Sequence, residues 1–136
     1  MKQICTFLFF IVLSCNGLLK AQDNLSFKDD NLQVSSQIEK MSDESNDRFY
    51  DFYKFTFKNT SKSKVSFVVS FKYKIDDQLI TSDSSEKITL NPGESISGDR
   101  DSRRDLTLFK SFNIGNSGKK LSEKNVEFVS FNIIYL

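Results

Sequence analysis

The chain has 136 residues, with 19 Lys and Arg against 18 Asp and Glu, a net charge of +1, and neither His nor Trp. Near-balanced charge argues against a general nucleic-acid binder, which is clearly basic. The lack of His excludes Ser-His-Asp and Cys-His catalysis and every His-ligated metal site.

Residues 1–21 read as a secretory signal peptide. Met1-Lys2-Gln3 is a short basic start, and Ile4 to Leu13 is an apolar run. That run is too short for a bilayer, which needs about 20 residues. The more polar stretch that follows ends at Ala21, a small residue suited to cleavage that leaves Gln22 as the new terminus. The same segment has an alternative reading. Val12-Leu13-Ser14-Cys15 resembles a loose bacterial lipobox in which Cys15 is lipidated, and stable anchoring would then need more than one acyl chain. The Leu inside the box and Leu18-Leu19 after the Cys weaken that reading, so soluble export to the periplasm or the medium is the first expectation. A membrane partner is expected only if Cys15 is lipidated.

Both cysteines, Cys5 and Cys15, lie in the leader. The soluble mature body therefore has no disulfide and no thiol chemistry, and its core alone must hold it. Removing Lys2 and Lys20 from the 19 basic residues leaves 17 against 18 acidic ones, near −1. Residues 22–136 are the size of one domain. A composition rich in Lys, Asn, Ser, Phe and Ile, with five Gly and one Pro, points to an AT-rich bacterial genome.

Along the body, apolar residues recur with period two and no stretch shows a helical period. Leu32, Val34 and Ile38 alternate with Gln33, Ser35 and Gln37. Asp43 to Asp47 is a polar loop. In Phe49 to Lys58, Tyr53, Phe55 and Phe57 share one parity and Lys54, Thr56 and Lys58 the other. Asn59 to Ser63 is turn material. Val65, Phe67, Val69, Phe71, Tyr73 and Ile75 then place six apolar groups on one face of a strand. We expect the last two runs to form a hairpin with Lys58 opposite Lys64, Phe57 opposite Val65 and Phe55 opposite Phe67; a one-residue slip would set apolar groups against polar ones.

Leu79-Ile80 follow a tight Asp76-Asp77 turn, and Ile88 and Leu90 precede the Asn91-Pro92-Gly93 turn. Leu106, Leu108 and Phe109 make a strand after the charged Gly98 to Asp105 loop. Asn113 to Lys120 is a flexible connection. In Val126 to Leu136, Val129, Phe131, Ile133 and Tyr135 share a parity while Phe128 and Ile134 do not, which predicts burial on both faces or a bulge. Seven or eight short strands with turns between them predict an all-β, antiparallel sandwich.

The order of parts resembles immunoglobulin-like β-sandwich modules of small bacterial secreted proteins. The residues that carry this are Phe57-Lys58-Asn59-Thr60-Ser61, then Val65-Ser66-Phe67, then Leu90-Asn91-Pro92-Gly93-Glu94-Ser95. These are turn signals, so the resemblance implies a fold and little about function.

The functional candidates follow from this frame. No phosphate-cradling glycine loop and no cofactor motif is present, so the chain is read as a non-enzyme without a cofactor. Glycosidases need only two carboxylates, but Asp29-Asp30, Asp76-Asp77 and the Asp99/Asp101 pair read as solvated turn acids. Asp99, Asp101 and Asp105 are weak calcium candidates, because Arg103 stands where a further oxygen is needed. Asn24 and Asn59 begin N-x-S/T triplets, coincidental in a bacterial protein. The sharper candidate is the outward face of the expected hairpin: Tyr50, Phe52, Lys54, Lys58, Lys72 and Lys74, aromatics beside lysines suited to an anionic or carbohydrate partner. The plain alternative is a solvated sheet face whose lysines discourage aggregation. The expected function is therefore an exported binding or interaction module for a protein or glycan. The alternatives are an accessory envelope subunit anchored at Cys15 and an inhibitor of secreted hydrolases acting through loops 98–105 and 113–120.

Overall fold

Alternation of Phe, Val, Ile and Leu with Ser, Lys and Thr builds strands that are apolar on one face only, and such faces are stable when two sheets cover each other. The computed structural model describes residues 26–114 and 126–136. The expected leader with Cys15, Asn24 and residues 115–120 of the expected flexible connection lie outside the described residues. The chain is all-β, with nine strands and no α-helix among the described residues. The strands are β1 (Ser26–Lys28), β2 (Leu32–Asp43), β3 (Arg48–Asn59), β4 (Val65–Ile75), β5 (Gln78–Thr81), β6 (Ile88–Leu90), β7 (Ser95–Ser97), β8 (Thr107–Ile114) and β9 (Val126–Tyr135).

Two antiparallel sheets form a β-sandwich. The first runs β1-β2-β3, and β7 and β8 pair with successive stretches of the far edge of β3. The second is centred on β4, with β9 along one edge and β6 and β5 along the other. No described helix is long and apolar enough to cross a membrane.

The expected hairpin between the two long central runs does not form. β3 pairs with β2 over twelve residues, so Phe57 lies opposite Val34 and Phe55 opposite Ser36. β4 belongs to the other sheet. The reason lies in Asn59, which is fully buried at the end of β3. Its Nδ2 donates to Ser63 O at 2.8 Å and to Leu90 O at 3.0 Å, and its Oδ1 accepts from the amide and hydroxyl of Ser61 at 2.9 and 2.8 Å. The side chain ties the connection to β6, so the chain climbs from one sheet to the other at this corner. Parity nevertheless holds: the inward residues of β3 and β4 meet across the sandwich, with Phe57–Phe67 ring centroids 5.6 Å apart and Phe55–Phe71 4.6 Å apart.

The true hairpin, β2–β3, closes on residues 44–46 as a 3-10 turn. Asp43 caps it through the amide and side chain of Asn46, and Asp47 turns the chain with a φ of 52°. At the β4–β5 turn, Asp76 and Asp77 both have positive φ (49° and 64°), the geometry of a two-residue turn that suits strand twist. At the Asn91-Pro92-Gly93 turn, Gly93 takes φ +80°, a conformation that favours glycine.

The core is a set of interlocked rings. Phe55, Phe57 and Phe67 are fully buried, joined by Phe71, Leu32, Val34, Val69, Ile88, Leu90 and Leu106. Phe128 and Phe131 of β9 both reach it, 5.2 Å from Phe55. They can do so because a bulge lies between Lys72 and Tyr73 in the register: Ser130 faces Lys72 while Phe128 faces Tyr73, which leaves Val129 outside. The sequence expectation of a bulge in this strand is met.

Between β6 and β5 the edge of β4 has no strand beside it. Ser85 Oγ accepts from Val69 N (3.0 Å) and Ser82 Oγ from Phe71 N (2.9 Å), while the amides of Ser85 and Ser82 donate back to the carbonyls of Val69 and Phe71. Two serines thus do the work of a paired strand.

Replacing Asn59 by Ala leaves the carbonyls of Leu90 and Ser63 without that donor, and should cost about 3 kcal/mol of stability in urea denaturation. Lys62→Ala, in the same exposed turn, should stay within about 0.5 kcal/mol.

Candidate binding surface

Strand alternation puts Tyr50, Phe52, Lys54, Thr56 and Lys58 of β3 on the outer face of the first sheet. The expected site is split. Lys72 and Lys74 are exposed on β4, in the other sheet, so they lie on the opposite side of the sandwich from Tyr50 and Phe52. Lys58 lies between Gln33 and Ser95 at the far end of β3, among polar residues. What remains together is Tyr50, Phe52 and Lys54.

The structure adds partners to them. β8 pairs with β3 so that Phe109 faces Phe52 and Phe112 faces Tyr50, with a register shift at Lys110 between them. Two residues three apart in a regular strand lie on opposite faces; the bulge brings both rings onto the same one. Ring centroids stand 5.6 Å apart for Phe52–Phe109, 5.0 Å for Tyr50–Phe112 and 6.5 Å for Tyr50–Phe52. Four half-buried rings therefore form a continuous apolar floor. Glu39 and Met41 of β2 pair with Phe52 and Tyr50 at its margin.

A cation lies over this floor. The guanidinium carbon of Arg100 stands 4.2 Å from the centroid of Phe52, a stacking distance for cation–π attraction. Its Nη1 is shielded from solvent and has no hydrogen-bond partner among the described residues. Arg100 is held there by its loop. Gly98 is buried, and a Cβ on it would stand 2.3 Å from Leu106 O, so the chain leaves β7 through a contact that only glycine fits. Asp99 and Arg103 then bond to each other through their backbones in both directions. Asp99 Oδ1 also accepts from the amides of Asp101 and Ser102 and from the Ser102 hydroxyl.

The same contacts account for the calcium candidates. Asp99 is occupied within the loop, and Asp105 is held by Arg103 at 2.8 and 2.6 Å. No group of three acids converges among the described residues. The Asp99 carboxyl is held below the ordinary carboxylate value of 3.8 by the Ser102 amide and hydroxyl, then by the Asp101 amide and the charge of Lys54. At Asp105, burial pushes the carboxyl up, but the hydrogen bonds and charge of Arg103 outweigh it and leave it lowered.

No protein-family model matches the chain, and no curated protein matches it.

Two predictions follow from the loop. Gly98→Ala should lower stability by about 2 kcal/mol or more, because overpacking against backbone has no cheap relief; urea denaturation measures it. Because the folded Asp99 and Asp105 are more acidic than in the unfolded chain, the stability they contribute is present above the ordinary carboxylate range and is lost as pH falls through their lower folded values. The urea midpoint should therefore drop between about pH 4 and pH 2, and the double variant D99N/D105N should show a shallower drop from a lower neutral midpoint.

Proposed function

We propose that this chain is an exported, non-enzymatic binding module of immunoglobulin-like type, and that it takes an acidic glycan on the outer face of its first sheet. Strand order supports the type. β3 and β4 lie at the centres of opposite sheets, β2 and β8 flank β3, β9 flanks β4, and β5 follows β4 by a tight turn. Two sheets of this kind, with the chain crossing between them, are the layout of immunoglobulin-like sandwiches.

The observation that carries the ligand reading is the guanidinium of Arg100, stacked on Phe52 beside the other three rings of the floor. A sugar ring presents C–H groups to an aromatic face and a uronate or sulfate to a guanidinium, which binds acid groups bidentately. Lys54, on the same face, adds a second positive charge. The mature body is near −1 overall, so attraction to a polyanion has to come from this local arrangement and not from bulk charge.

Affinity electrophoresis through gels containing polygalacturonate, with dextran as the neutral comparison, tests the reading. The protein should be retarded by polygalacturonate alone. F52A/R100Q should weaken retention about tenfold or more, the loss of one stacked and charge-assisted contact. K72A/K74A, on the opposite sheet, should leave retention unchanged. Equal loss from both variants would show a non-specific charge effect and reject the site.

A further inference from the structure

Among the described residues the second sheet has an open side. Leu136 N donates to Ser66 O at 2.9 Å. Every second amide along an antiparallel strand points the same way, so the amides of Ile134 and Asn132 face β4, while those of Tyr135, Ile133 and Phe131 point away from it. Among the described residues β9 pairs with β4 alone. Edges of this kind are usually blunted by lysines, prolines or bulges. β9 carries one charged residue, Glu127, and its bulge at Val129 leaves Phe131 to Tyr135 regular.

Beside this edge lies a groove of about 490 Å³ between β9 and β1, lined by Phe27, Asp29, Phe128, Phe131, Ile133 and Tyr135 among others. Phe27 is 43% exposed, with its ring 6.3 Å from that of Phe131. At one end the Tyr135 hydroxyl donates to Asp29 Oδ2 at 2.5 Å. Burial pushes the Asp29 carboxyl up, but bonds from Tyr135 and from the amides of Leu32 and Asn31 outweigh it, so it is charged at neutral pH. Asp30 follows it, while Glu127, at the other end of β9, lies opposite Lys74 of β4. Against Asp29 and Asp30 β1 contributes one base, Lys28.

We propose that this edge takes up a single extended segment of another protein, which adds as a strand beside β9. Its backbone meets the amides and carbonyls of Phe131, Ile133 and Tyr135. Alternate apolar side chains enter the groove, and a basic residue lies near Asp29 and Asp30. Backbone pairing supplies affinity and the alternating pockets supply selectivity. Charge decides against a second copy of the chain. The β9 strand of a second copy holds no Lys or Arg, its one charged residue being Glu127, so it could set no base beside Asp29 and Asp30.

The test is an NMR titration of the 15N-labelled protein with the peptide acetyl-Lys-Val-Ser-Val-Ser-Val-Lys-amide. The amides of Phe131, Ile133 and Tyr135 should shift and exchange with solvent more slowly. The same peptide N-methylated at alternate amides, or ended in Glu instead of Lys, should bind about tenfold or more weakly, having lost edge hydrogen bonds or charge complementarity. Unchanged β9 amides, or shifts confined to the Arg100 face, would overturn the proposal. So would the same β9 shifts appearing with protein concentration alone, since they would make a second copy the occupant.

Discussion

The sandwich turns on the side chain of one buried asparagine. A polar group of this size is tolerated inside an apolar core only if its donors and acceptors are matched, and Asn59 has two carbonyls, an amide and a hydroxyl around it. Its backbone is used as well: Asn59 N donates to Glu94 O and Gly93 N to Asn59 O, both at 2.9 Å. Three separate stretches are thereby fixed to one point: the end of β3, the connection to β4, and the turn between β6 and β7. Moving the chain from one sheet to the other at this corner is what lets the rings of β3 look across at those of β4 instead of lying beside them.

Cohesion then comes from aromatic packing rather than covalent bracing, since no cysteine lies beyond Cys15. Phe55 touches the rings of Phe71, Phe128 and Phe131 at 4.6 to 5.2 Å, and such pairs add about 0.5–1.5 kcal/mol each beyond area burial. The bulges in β8 and β9 serve this economy in opposite directions. In β9 the extra residue sends two phenylalanines inward. In β8 it sends two outward, which creates the ring floor beneath Arg100.

Much of the architecture was legible: the faces of β3 and β4 and the bulge in β9 follow from period-two alternation, and the turns at Asp76-Asp77 and Asn91-Pro92-Gly93 from their turn residues. Pairing partners were not. Parity says which side chains share a face but not which strand lies beside which, and a polar five-residue connection reads alike as a hairpin loop and as a climb between sheets. The misplacement of Lys72 and Lys74 followed directly from that ambiguity. Leu106 was read into a strand but lies fully buried in the 3-10 turn that precedes β8. β1 and β7, three residues each, are too short to show a period. Phe112 and Arg100 escaped notice because one needed the bulge and the other a loop conformation set by Gly98. The Phe-x-x-Phe spacing of residues 109–112 within an otherwise alternating strand was the available clue.

The two serines beside β4 have a consequence for how far sheets of this protein can extend. On their side the margin is β6 and β5, three and four residues long, and the stretch between them is sealed by hydroxyls. An incoming chain finds no continuous run of free amides there. The second sheet thus has one continuous margin, β9, and one broken one. If β9 takes up a strand as proposed, the second sheet lengthens on that side alone, and the serine-sealed margin closes the other.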